Sequence, residues 1–221
     1  MNIEQARFNM IEQQIRPWEV LDQGVLSLLA VVRREEFVPP AYRALAFIDT
    51  EVPLPNGEGD DQCMLAPRVE ARLLQELQLQ PHESALEVGT GSGYMAALMA
   101  HQAQRVTTLE IRPSLAAMAR ANLQRAGIVN AQVIEADGVK GHAEQAPFDA
   151  IVLSGSVADV PAALLAQLKI GGRLVAIVGQ EPVMRAVHLS RVADQQVKRV
   201  ELFDTVAPRL DGFGEPTRFR F

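Results

Sequence analysis

From Ser84 onward, short apolar runs of strand length alternate with segments of helical periodicity. "SALEV" precedes a helical stretch from Gly93, "RVTTLEI" precedes "PSLAAMARANLQRAG", and "AQVIEAD" leads into a connection. "FDAIVLS" is followed by "VPAALLAQLK" and "IGGRLVAIVG". Strands that take turns with helices are joined by right-handed crossovers, which lay the strands parallel and cover both faces of the sheet. The expected fold is α/β, a doubly wound and mostly parallel sheet. The following "MRAVHLSRVADQQVKRVELFDTV" has period-two stretches around a polar turn and predicts an antiparallel C-terminal hairpin that closes the sheet. Upstream, helical spacing from Ile3 to about Val32 is broken at "RPWEV", where Pro17 cannot continue a helix, so a small N-terminal helical cap of two helices is expected. A Pro-, Gly- and Asp-rich excursion with one short helix comes next. Pro67 then opens a helix to about Leu79, with Val69, Leu73, Leu74 and Leu77 on its apolar face.

The chain's 221 residues suffice for one such domain. Its net charge is −6, and no run of basic residues could track a phosphate backbone, which argues against nucleic acid as a partner. The single Cys63 cannot form an internal disulfide. The N-terminus has neither a basic start nor a continuous apolar stretch of signal-peptide type, and no window reaches the length of a membrane span, so a cytoplasmic protein is expected.

The corner between the first strand and its helix reads "LEVGTGSGY". Gly89, Gly91 and Gly93 give the backbone freedom to turn through positive φ and to approach a ligand closely. A dinucleotide fingerprint would place its third glycine at position 94, which is Tyr. Glu110 ends the second strand 21 residues after Gly89, where a carboxylate can accept from both ribose hydroxyls of a nucleoside. Asp137 and Gly138 close the third strand, at the corner where an adenine edge could be hydrogen-bonded. An acid before the glycines, Glu87, would favour a cationic ligand and repel a pyrophosphate.

These elements in register resemble the Rossmann-like S-adenosyl-L-methionine-dependent methyltransferases. The resemblance implies that Glu87 faces the methionine end, that Gly89, Thr90, Gly91, Ser92 and Gly93 shape the cofactor corner, that Glu110 and Ile111 flank the ribose, and that Asp137 and Gly138 flank the adenine. More narrowly, "VVRREEFVP" is similar to a Val-Pro-Arg-Glu-x-Phe-Val signature of the protein-L-isoaspartate O-methyltransferases, with Arg33 in place of Pro. "LPNGEG" resembles that family's Leu-Pro-x-Gly-x-Gly loop, and "PFDAIVLSGSVADVPAALLAQLKIGGRLVAIVG" follows its fourth and fifth strands. The resemblance implies carboxyl methylation of isoaspartyl residues in damaged protein, the start of their repair to aspartate. On this pattern residues 1–66 hold the cap and substrate loop, 67–180 the cofactor-binding core, and 181–221 the hairpin and tail of one methyltransferase domain.

The family's substrate loop ends in Ile-Ser-Gln-Pro, its Ser being the active-site hydroxyl. This chain reads Met64-Leu65-Ala66-Pro67, so Leu65 stands for Ser and Ala66 for Gln. Methyl transfer to a carboxylate needs no general base, because the acceptor is already ionised at neutral pH. Glu58, Asp60 and Asp61 in the same loop would instead suit a neutral or cationic acceptor, with Asp60 or Asp61 as base, or Asp60 and Asp61 point into solvent. Ser154, after the fourth strand, is the candidate replacement hydroxyl, or like Ser156 a hydrogen-bonded turn residue. Three readings follow: carboxyl methylation of a protein or peptide, transfer to another acceptor such as a small molecule, and a cofactor-binding protein that transfers nothing. The four histidines lack ligand spacing, so no metal site is expected. Cys63 has no positioned partner for a nucleophilic role. Trp18 and Tyr42 are expected as packing anchors. Phe213, Phe219 and Phe221 are expected either to fold over the substrate mouth or to meet another subunit.

Overall fold

Helical periodicity at the N-terminus becomes two helices in a computed structural model, which describes residues 2–54 and 62–214. Helix α1 (Ile3–Met10) is capped by the Asn2 side chain, which accepts from the Gln5 amide. It runs on through a π turn, Ile11–Ile15, and a 3₁₀ turn, Arg16–Trp18, and Glu19 ends it at a left-handed φ of 61°. Helix α2 (Gln23–Val31) starts afresh on Asp22, whose carboxylate accepts from the Val25 amide at 2.9 Å. A 3₁₀ turn, Arg34–Glu36, follows α2, and the excursion beyond it contains one 3₁₀ helix, Pro40–Leu45, where one short helix was expected. It also holds an antiparallel pair, β1 (Val52–Pro53) and β2 (Cys63–Met64). Helix α3 (Pro67–Leu77) buries Val69, Leu73, Leu74 and Leu77 and stops at Gln78, which adopts a left-handed conformation.

The main sheet is built from β3 (Ser84–Val88), β4 (Arg105–Glu110), β5 (Ala131–Glu135), β6 (Phe148–Val157), β7 (Leu168–Gln180), β8 (Val183–Ala193) and β9 (Gln196–Thr205). Helices α4 (Tyr94–Ala100), α5 (Pro113–Arg125) and α6 (Ala162–Ala166) lie between its parallel strands. The order is β5-β4-β3-β6-β7-β8-β9, parallel through β7 and antiparallel at β8 and β9. Strand order therefore reverses between β3 and β6, and a crevice opens at the carboxyl ends of those two strands. Helix α6 is shorter than its sequence suggests. Phe148 donates to the Gln167 carbonyl at 2.8 Å and pairs with Leu168, drawing the expected last helical turn into β7.

Alternate residues of the central strands supply two cores. Ala150, Val152, Val175 and Ile177 pack on the face covered by α3 and α4, with Leu73, Leu77, Tyr94 and Leu98. Ile151, Leu153, Leu174 and Ala176 pack on the opposite face, with Leu164 and Val187. No helix of the described residues is long and apolar enough to cross a membrane.

Candidate active site

The crevice is made by the glycine corner. Gly89, Gly91 and Gly93 take φ of 89°, 52° and 84°, values that an L side chain rarely adopts. The corner is closed by Glu110, whose Oε2 accepts from the Gly91 amide at 2.8 Å and whose Oε1 accepts from the Arg112 amide at 3.0 Å. Burial pushes the Glu110 carboxyl above its ordinary range, and those amides act against the shift. Glu110, Ile111, Ala136, Gly138 and Ser154 line a cleft of about 470 Å³ over Gly89 and Gly91. Gly138 must be glycine, because a Cβ there would collide with Val88 on β3.

Beneath the corner lies a closed polar chain. Glu87 has no exposed surface. Thr108, its register partner on β4, donates to Oε2 at 2.6 Å, and Ser154 donates to Oε1 at 2.7 Å. Thr108 spends its proton on Glu87, so Thr90, 2.6 Å away, donates to Thr108. Ser154 reaches the acid because β6 bulges: between Val152 and Ser156 it advances four residues against two on β7. Burial pushes the Glu87 carboxyl up to about 8, the two hydroxyls pulling the other way. Glu87, Glu70, Thr90, Ser92, Leu65 and Ser154 line a second, inner cavity of about 310 Å³ that adjoins the first at Gly89 and Gly91.

The loop carrying Leu65 is held from below by the Arg-Glu of the N-terminal signature. Arg34, 1% exposed, pairs with Glu70 on α3 and donates to the Leu65 carbonyl at 2.8 Å. Glu35 pairs with Arg7 of α1. Burial raises the Glu70 carboxyl to about 7, against the pull of Arg34. The Arg34 guanidinium also lies 5.1 Å from the centre of the buried Tyr94 ring.

The structure brings most of the sequence candidates together and revises several. Asp137 is exposed, lies outside both cavity linings, and accepts from the Val139 amide at 3.0 Å to cap a 3₁₀ turn; only its neighbours Ala136 and Gly138 reach the cleft. Thr90 and Ser92 are buried, with Thr90 committed to Thr108 and the Ser92 carbonyl accepting from Asn122. Asp61, Glu58 and Asp60 lie outside the described residues, as do Phe219 and Phe221. Phe213 is buried with Leu86, Val88 and Leu210. Trp18 meets Phe203 edge-on, their ring centres 6.2 Å apart, and Tyr42 packs on the core. Burial raises the Cys63 thiol far above its ordinary range, which leaves it a poor nucleophile.

Sequence reasoning missed Thr108, which the parallel register opposite Glu87 could have revealed, and Arg34, which stood in the quoted signature. It also missed Leu210 and Asp211, for which no local signal exists. The strap that carries them crosses the cleft: the Ser156 amide donates to the Pro208 carbonyl at 2.8 Å, Leu210 donates back to the Ser156 carbonyl at 2.9 Å, and Asp211 pairs with Arg112 at 2.6 Å. The Leu210 side chain rests on Gly89, its Cδ2 only 2.6 Å from where a Cβ would stand.

Comparison with known proteins agrees with this architecture. The family described as protein-L-isoaspartate(D-aspartate) O-methyltransferase matches residues 5–206. A protein-L-isoaspartate O-methyltransferase of Koribacter versatilis (strain Ellin345) is 41% identical over 198 residues, covering 90% of this chain and 87% of that protein. A protein-L-isoaspartate O-methyltransferase 1 of Rhodopseudomonas palustris (strain HaA2) is 42% identical over 199 residues, covering 90% and 80%. Among solved structures, a protein-L-isoaspartate O-methyltransferase superposes with a TM-score of 0.82 at 23% identity, over 93% of this chain and 66% of that one. A Plasmodium falciparum chain given the same activity, in complex with S-adenosyl-L-homocysteine, superposes with a TM-score of 0.75 at 22% identity, over 96% and 99%. With a glycine corner that excludes a dinucleotide fingerprint and a sheet of this order, the chain belongs to the protein-L-isoaspartate(D-aspartate) O-methyltransferase family of S-adenosyl-L-methionine-dependent methyltransferases.

Proposed function

We propose that this methyltransferase acts on the free carboxylate of isoaspartyl residues in proteins or peptides. The observation that carries the cofactor half of this reading is the charge of the crevice. Glu87, Glu70, Glu110 and Asp211 line its two cavities, and no Lys or Arg is among their described lining residues. Such a lining offers a pyrophosphate no cation, and a nucleoside with a cationic amino-acid end would favour the ionised form of the buried Glu87. When bound, S-adenosyl-L-methionine supplies an electrophilic methyl group on a sulfonium.

This chain's residues then have distinct tasks. Glu87 balances the positive end, and Ser154 and Thr108 hold its carboxylate in one orientation. Gly89, Gly91 and Gly93 let the backbone of the corner approach the ligand closely. Glu110 keeps acceptor capacity for ribose hydroxyls beyond the amides it already binds. Ile111 and Gly138 offer apolar surface to the base. An ionised acceptor carboxylate gives up no proton, so neither Asp61 nor Ser154 has to act as a base. The acceptor must instead be stripped of water and aimed. The apolar Leu65 and Ala66 can help desolvate it, although they cannot donate to it as a Ser would.

The test is transfer of labelled methyl from S-adenosyl-L-methionine to a peptide with one isoaspartate, beside its aspartyl twin, scored as base-labile ester. Label in the isoaspartyl peptide alone is the expected result. Confirmed cofactor binding with no label in either peptide would move the activity to another acceptor.

A further inference from the structure

Leu65 lines two spaces. On one side is the inner cavity with Glu87 and Ser154. On the other is a groove of about 570 Å³ lined by Asp49, Thr50, Glu51, Ala66, Arg68, Thr205 and their neighbours. Leu65 is thus the shared wall between the groove and the cavity on the proposed methyl-donor side.

Arg68 is the one cation among the groove's described lining residues. Its guanidinium carbon lies over the Trp18 ring, 4.4 Å from the ring centre, and its Nη1 pairs with Asp49. Trp18 is itself braced edge-on by Phe203. A guanidinium held by an aromatic face has lost most of its rotamer freedom before a ligand arrives, which reduces the ordering cost of binding. The side chain is nevertheless 30% exposed, and its pairing with Asp49 occupies only one nitrogen. The neighbouring Glu51 is pushed toward its neutral form by burial, which lessens repulsion of an incoming anion.

We infer that Arg68 is the positioning residue for the acceptor: its guanidinium draws the carboxylate of the isoaspartyl segment into the groove beside Leu65, and Asp49 holds that place in the free protein. This rests on the isoaspartyl reading given above. It also answers the loss of the loop hydroxyl, since a charge-assisted contact takes over the anchoring that the Ser would have provided. Asp49 and the substrate compete for one cation, so removing either partner of the pair should shift KM in opposite directions.

The test compares full-length wild type with Arg68→Met, which keeps the apolar stem, and Asp49→Asn, which removes the competing charge. The readouts are KM and kcat for the isoaspartyl peptide and the Kd of S-adenosyl-L-homocysteine. Arg68→Met should raise KM about ten- to a hundredfold, the range for loss of a hydrogen bond to a charged group, with kcat and cofactor affinity changed little. Asp49→Asn should lower KM a few-fold. The wild-type KM should rise with salt, and that of Arg68→Met should be nearly flat. A purely structural pair would raise KM or lower Tm in both variants, and that result would overturn the inference. So would unchanged KM in both. A wild type that binds cofactor yet labels no isoaspartyl peptide would overturn the underlying reading, and this inference with it, before any variant is compared.

Discussion

Glu87 shows how much one side chain's chemistry depends on its surroundings. In sequence it is a strand residue before a glycine turn. In the fold it is a wholly buried carboxyl with two hydroxyl donors, pushed up to about 8 by desolvation. The direction of the shift fixes a pH dependence. The folded protein binds this proton more tightly than the unfolded chain, so the site's contribution to stability is full below about 4.5 and is lost as pH rises through about 8. The Tm of the ligand-free protein minus that of Glu87→Gln should therefore shrink as pH rises through this window. A ligand with a cationic end works the other way, since it favours the ionised acid. Calorimetric titration of S-adenosyl-L-homocysteine above and below pH 8 should show tighter binding at the higher pH in wild type, and no such change in Glu87→Gln. Ser154→Ala removes a donor to the ionised form, so it should move the midpoint of that profile upward.

Among the elements, the substrate loop and α3 are bound to each other by charge rather than by apolar packing alone. Arg34 joins Glu70 of α3 to the Leu65 carbonyl of the loop. Removing one partner of a buried pair leaves the other uncompensated, at a cost of about 3–5 kcal/mol, whereas replacing both with apolar residues of similar volume is often neutral or better. Arg34→Met should therefore lower urea-unfolding stability by roughly that amount. Combining it with Glu70→Leu should recover most of the loss. The double variant still lacks the donor to Leu65, so its methyl-transfer kcat should stay depressed; recovery of both stability and kcat would mean that the pair has no part in placing the loop. The family signature "RREEFV" was legible as a string. Its meaning, an ionic floor under the loop, required α1 and α3 to be packed against it.

Across the whole molecule, the crevice combines two distant parts of the chain. The glycine corner comes from β3 and α4, and its cover comes from the strap after β9, tied down by Ser156 and by the Arg112–Asp211 pair. That pair joins side chains 12% and 36% exposed, so its worth is modest. Asp211→Ala should speed release of S-adenosyl-L-homocysteine a few-fold in stopped-flow displacement and leave Tm almost unchanged. An unaltered release rate would show that Leu210, resting on Gly89, holds the strap by itself.

The alternation of strand and helix, the antiparallel hairpin and the glycine corner were determined by the sequence itself, because each rests on local periodicity or on backbone freedom at named residues. The glycine corner after the first strand also led to Glu87, Glu110 and Gly138 at one crevice, whereas the switch point between β3 and β6 came with the strand order of the fold. Tertiary structure alone decided which side chains could still act there. Asp137 turned out to be spent on capping, Thr108 and Ser154 were committed to Glu87, and Leu210 and Asp211 arrived from more than a hundred residues away in the chain. The same holds for Arg68, whose ring stack and carboxylate partner come from separate elements. Burial and long-range hydrogen bonding set charge state and availability, and neither quantity belongs to a residue until the chain has closed around it.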